Sequence, residues 1–129
     1  MNRPFTKQSD RQIKKVLLVE NSSPARDRHA ATLERNGYLV VKAETIDVGR
    51  GLFSPRKFGL VVVSLNGFGT AAADFCNEIK ESDGNQLIAL IFHPDQQLPA
   101  TDCPTIIFTT EPDEYFLARV ETLTAAHAA

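Results

Sequence analysis

Long apolar runs are missing from this chain of 129 residues. No stretch approaches the ~20 residues that a spanning helix needs, so a membrane protein of that kind is excluded. Cysteine is scarce, with only Cys76 and Cys103 present. They have no C-x-x-C spacing, so no zinc or redox motif is written here. Cys76 falls in a helical pattern and Cys103 in a proline-rich loop; two free thiols are expected. No charge of one sign dominates, the formal net charge being -2. Arg26, Arg28, Lys42, Arg50, Arg56 and Lys57 are scattered, which argues against a nucleic-acid groove or a polybasic membrane patch. The beginning of the chain shows no leader pattern. The cytoplasm is therefore the expected location, and Asn21-Ser22-Ser23 is read as a chance sequon.

What is present fits an ordinary globular domain, with 43% hydrophobic and 23% charged residues, and the length suits one core without staples. Residues 1–12 are polar, aperiodic and contain Pro4, and are expected to form a disordered tail. The domain is expected over 13–126, with a short tail at 127–129.

Within the domain, apolar runs alternate with helical periods. Ile13 to Val19 reads as a strand buried on both faces. Ser23 is the expected N-cap of a first helix, with Pro24 in its first turn and Ala25, Arg28/His29, Thr32 and Leu33 in period; Gly37 closes it. Tyr38 to Ala43 is a second strand. Thr45 caps a short helix over Ile46 to Phe53, with Val48 and Leu52 expected on its inner face. Phe58 to Val63 is a third strand, and Ala71 to Glu81 a helix with Phe75, Cys76 and Ile79 facing in. Leu87 to Phe92 is a fourth strand. His93 to Pro104 holds Pro94, Pro99 and Pro104, which opposes a long helix. Ile106 to Phe108 is a fifth strand. A last helix over Asp113 to about Ala126 buries Phe116, Val120 and Leu123. Alternation of this kind builds βαβ units and a parallel sheet with helices on both faces. The working crevice of such a sheet lies beyond the carboxyl ends of its strands. There stand Glu20, Asn21, Ser64, Asn66, Phe92, His93, Thr110 and Glu111.

The order and spacing of these pieces resemble the receiver domains of bacterial response regulators, CheY-like in fold. Lys15 to Asn21 is similar to the family's first strand and its closing acidic pair. Leu33, Gly37-Tyr38, Val40 and Ala43 are similar to its first helix end and second strand. Lys57 to Ser64 is similar to the run that leads to the phosphoacceptor, and Asp74-Phe75-Cys76 with Ile79 to its third helix. Pro112 with Phe116 to Val120 is similar to its last helix. The resemblance covers about residues 14 to 126. It implies an α/β, flavodoxin-like three-layer sandwich on a five-stranded parallel sheet, here with the fourth helix reduced to a loop or short turn.

The resemblance also implies a chemistry, and the sequence departs from it. The family's acidic pair and acceptor aspartate hold Mg²⁺, which prefers carboxylate oxygen. A Ser or Thr and a Lys bind the phosphoryl oxygens, so that transfer is mostly positioning and charge neutralisation. The matching positions are Glu20-Asn21, then Ser64 for the acceptor, Phe92 for the Ser or Thr, and Glu111 for the Lys. A phosphoryl oxygen ~4 Å from Glu111 would be repelled by roughly 4 kcal/mol at an effective dielectric of about 20. Ser64 would need an adjacent base to act as a nucleophile.

Other motifs are weaker. Gly67-Phe68-Gly69-Thr70-Ala71-Ala72 fits G-x-G-x-x-A but follows the wrong strand, and no acidic residue ends the next one. The glycines are read as loop residues. His29 and His93 lack ligand spacing and are expected on the surface or in a loop. Glu20 and Glu111 are expected to be solvated acids rather than an acid/base pair.

The expectation is thus a receiver-like module that is not an enzyme, takes no cofactor and no metal, and is not phosphorylated. It would act by binding a protein: a kinase, another regulator, a fused output domain or a second copy of itself. Phe108, Tyr115 and Arg119 are the candidate partner face. Two alternatives stay open. One is a nucleotide or metabolite sensor using the emptied strand-end pocket. The other is a residual phospho-switch on Ser64.

Overall fold

The computed structural model describes residues 12–65, 68, 70–92, 105–108 and 112–128. The element order is β1 (Gln12–Val19), α1 (Ser23–Glu34), β2 (Leu39–Ala43), α2 (Ile46–Leu52), β3 (Phe58–Ser64), α3 (Thr70–Ser82), β4 (Ile88–Phe92), β5 (Thr105–Phe108) and α4 (Asp113–Ala128). The strands form one sheet in the order β2-β1-β3-β4-β5, and every neighbouring pair is parallel.

The strand cores are apolar on both sides because helices cover both faces. Leu17, Val19, Val61, Val63, Leu90 and Phe92 pack with α2 and α3 through Ile46, Phe75, Cys76 and Ile79. Val16, Leu18, Leu60, Val62, Ala89 and Ile91 pack with α1 and α4 through Ala30, Leu33, Phe116 and Val120. This alternation positions the site. Residue 20 follows 16 and 18 onto the α1/α4 face, and residue 64 follows 60 and 62. Val19 pairs with Val63 and Ser64 with Ile91, so Glu20 and Ser64 close adjacent strands on the same face.

Several local expectations need correction. The N-cap of α1 is Ser22, whose side chain accepts from the Ala25 amide, and not Ser23. Thr45 does cap α2, but the residues α2 buries are Ile46 and Gly49, while Val48 is exposed. A Cβ at Gly49 would lie 2.8 Å from Val19 Cγ2; the close approach of α2 to β1 turns the helix so that its glycine, not Val48, meets the sheet. α4 continues to Ala128, through part of the expected tail, because the alanines there favour helix. At the end of α1, Gly37 has φ +91°, its N–H donates to Glu34 O and the Tyr38 N–H to Leu33 O, a Schellman closure that uses glycine's freedom. Among the described residues no helix is long and apolar enough to cross a membrane.

Candidate functional site

The carboxyl ends of β1 and β3 carry the residues singled out by sequence, and they are closed rather than open. Glu20 is 3% exposed and Ser64 1%. The Glu20 N–H still bonds Ala43 O at 3.0 Å, so the strand ladder holds the residue in register and its side chain turns under α1. There Glu20 Oε1 lies 2.8 Å from His29 Nδ1, and the histidine is itself 3% exposed. The imidazole packs on the ring of Phe116 from α4, with centroids 4.5 Å apart and planes inclined by 35°. An ionised carboxylate only accepts, so Nδ1 carries the proton of this bond when Glu20 is charged. Glu20 is therefore not a solvated acid and His29 is not a surface residue. Both expectations fail because strand parity and helix period point the two groups at each other.

Asn21 is exposed, and the chain there is held by a cation. Arg26 Nη1 donates to Glu20 O at 2.8 Å and to Asn21 O at 3.3 Å. Arg26 is thus bound to the turn that precedes its own helix, not part of a scattered solvated surface. Phe92 is buried in the α2/α3 cluster with Leu65 and Val63, and Phe68 packs against that cluster. It is a core aromatic of its strand, pointing away from the Glu20 face. Asn66, Gly67, Gly69, the whole of His93–Pro104 with Cys103 and the expectation of a reduced fourth helix, and Thr110 and Glu111 lie outside the described residues.

The donors that the described residues bring to the strand ends do not fit a magnesium ion. The one carboxylate that the described residues bring to this end already meets an imidazole, and Ser64 offers a neutral hydroxyl. Among the described residues there is no group of three His, Cys, Asp or Glu that could hold a metal. Cys76 is buried and forms no disulfide among the described residues.

On the far side of α4 the surface is different. Tyr115 is 55% exposed and Arg119 is exposed. Ala118, Arg119, Thr122 and Leu123 line a surface cavity of about 250 Å³. The backbone of Phe108 ends β5, and its side chain lies outside the described residues. A cluster of ion pairs lies elsewhere. Arg50 bonds Glu78 at 2.8 Å and Asp47 at 2.7 Å, and the Glu78 hydrogen bond raises its pKa above the ordinary arginine value. That clamp ties α2 to α3, away from the strand ends.

Comparison with known structures follows from this geometry. The response-regulator receiver domain (CheY-like) of Methanospirillum hungatei matches with a TM-score of 0.77 over 91% of this chain and 98% of that one, at 13% identity. The fold is that of a receiver domain. The non-phosphorylated HemR receiver domain of Leptospira biflexa matches with a TM-score of 0.74 at 22% identity, over 85% of this chain and 93% of that one. The N-terminal domain of a response regulator/sensory box/GGDEF three-domain protein from Carboxydothermus hydrogenoformans gives 0.74 at 16% identity, over 88% and 96%. No family model and no curated protein matches the sequence. At these identities the likeness carries the architecture. The strand-end chemistry has to be read from this chain's own residues.

Two of those residues, His29 and Arg26, were missed as site residues by sequence reasoning. The signal for His29 was present, since it shares the helical stripe of Thr32 and Leu33, all of them buried. Glu20 has the parity of Val16 and Leu18.

Proposed function

We propose that this chain is an atypical receiver module that does not take a phosphoryl group and acts through protein contacts. The observation that carries this reading is the 2.8 Å bond between Glu20 and His29 inside the protein. In the receiver family a carboxylate at this position serves a metal ion. Here it serves a histidine, and neither group is open to solvent. Ser64, at the acceptor position, is equally buried and has no carboxylate to offer.

The same packing weakens both alternatives. A phospho-switch on Ser64 needs a reachable hydroxyl and a free base, and Glu20 is engaged. A ligand sensor at the strand ends needs space where Glu20, Ser64, Leu65 and Phe92 are packed. The exposed Tyr115 and Arg119 on α4 support an interaction role instead, since aromatic and arginine side chains are enriched at interfaces. A kinase, another regulator or a fused output domain fits such a face. The three-domain neighbour, whose N-terminal domain has this fold, is the kind of setting in which a fused output domain would occur.

Incubation with acetyl phosphate and Mg²⁺, followed by intact mass, tests the reading. The mass is expected to stay unchanged. A stable added phosphate on Ser64 would overturn it.

A further inference from the structure

Among the contacts that run from the α1–β2 unit to α4 are three of different kinds. Arg28 Nε donates to Asp113 Oδ1 at 3.2 Å on the surface. Tyr38 OH and Thr124 Oγ1 are 3.3 Å apart in a buried position. Between them the His29 ring lies on Phe116. Only the middle contact reaches a strand end, because His29 is bonded to Glu20 on its other side. Phe116 is 2% exposed and immediately follows Tyr115, the exposed aromatic of the same helix.

We infer that Glu20 is a positioning residue for α4: acting through His29 and Phe116, it fixes the seat of the helix that presents Tyr115 and Arg119. The carboxylate holds the imidazole in one orientation, and that orientation sets the surface on which Phe116 rests. Without an acceptor at Glu20, the buried Nδ1–H is left unsatisfied, and the ring must turn or draw in water to recover a partner. Either change alters the floor under Phe116 and loosens α4 from the sheet. Energetic coupling of this kind is reciprocal, so a partner that shifts α4 would also disturb the β1–α1 turn. That consequence rests on the reading of α4 as the partner face; the coupling itself does not.

The test needs no partner. The chain has two tyrosines and no tryptophan, so 3-fluorotyrosine labelling gives two fluorine resonances, from Tyr38 and Tyr115. Glu20→Leu is expected to move the Tyr115 resonance. It should also lower hydrogen-exchange protection in α4 by about tenfold more than in α3, a coupling of about 1.4 kcal/mol. Glu20→Gln retains an acceptor for Nδ1–H and is expected to restore both readouts towards the unmodified protein. Asn21→Ala, at the same turn but exposed, should change neither. Equal loss of protection in α3 and α4, or an unmoved Tyr115 resonance in Glu20→Leu, overturns the inference. If Glu20→Leu does not fold, Phe116→Leu reads the coupling from the other end. The Arg26 amide, bonded to Ser22 O at 2.8 Å, should then lose protection relative to the Ile79 amide. An equal change at both amides overturns the inference. Phosphorylation of the chain would contradict the functional reading without touching these exchange results.

Discussion

Glu20 Oε1 and His29 Nδ1 are 2.8 Å apart, and the two side chains are among the few buried polar groups of the described residues. Nine positions apart in sequence, they join the end of β1 to the middle of α1. Taking two such polar groups out of water is costly, and close pairing recovers that cost only when both partners are present. Truncation of one partner is therefore expected to be severe. His29→Ala leaves Glu20 buried without its partner and removes the surface beneath Phe116. The expected loss is about 3–5 kcal/mol, read as a lower denaturant midpoint with an unchanged slope. Replacing both partners with leucine should be far milder than His29→Ala alone, since no uncompensated polar group remains. If the double variant were as damaged as the single one, the pairing would not be what the site depends on.

Restoring the family's acid at the acceptor position is not expected to restore its chemistry. Ser64→Asp places a carboxylate beside Glu20 at a position that is 1% exposed. The variant should lose several kcal/mol of stability above the aspartate's titration range, because it sets a second buried acid beside the first. It should also stay unmodified when treated with acetyl phosphate and Mg²⁺. A phosphorylated Ser64→Asp would mean that only the nucleophile was missing.

At the opposite end of the sheet the polar atoms are satisfied by a glutamine. Gln86 is fully buried, and its Nε2 donates to Phe58 O at 3.2 Å and to Leu87 O at 3.1 Å. Gln86→Leu removes both side-chain hydrogen bonds, although Leu87 O keeps the Val61 amide at 3.0 Å, and is expected to cost about 1–3 kcal/mol in chemical denaturation. Gly49→Ala is expected to cost a similar ~1–3 kcal/mol by overpacking, since the added methyl meets Val19 Cγ2 at 2.8 Å.

Tyr115 separates folding from function. The side chain is more than half exposed, so Tyr115→Ser should change stability by no more than about 0.5 kcal/mol. Co-purification from cells that express the chain with its native partners should nevertheless lose whatever binds α4. Retention of every partner by this variant would remove Tyr115 from the partner face.

Much of the architecture was legible because it rests on period. The fully apolar runs of β1, β3 and β4 belong to strands covered on both sides, and they are buried throughout in the structure. The inner faces of α3 and α4 followed from Phe75, Cys76 and Ile79 and from Phe116 and Val120. α2 was misread because the helix approaches β1 so closely that a glycine faces inward, and hydrophobicity alone pointed to Val48. The site was half legible. Substitutions at Ser64 and Asn21 can be read from position, since they change which atoms are offered. The destination of Glu20 could not be read from its chemistry, because an acid is ordinarily expected in water. Strand parity does place it inside, and the stripe of Thr32 and Leu33 places His29 opposite. The pair emerges only when the two periods are combined across the β1–α1 turn.

The most direct measurement is the amide spectrum of the ¹⁵N-labelled protein titrated with Mg²⁺ and beryllofluoride, followed at Asn21, Arg26 and Ser64. Because the strand-end carboxylate is already held by His29, these resonances are expected to stay in place at concentrations of both reagents that saturate ordinary receivers. Saturable shifts confined to these three amides would mean that the strand end accepts metal and phosphoryl-like ligands after all, and would contradict the account at its centre.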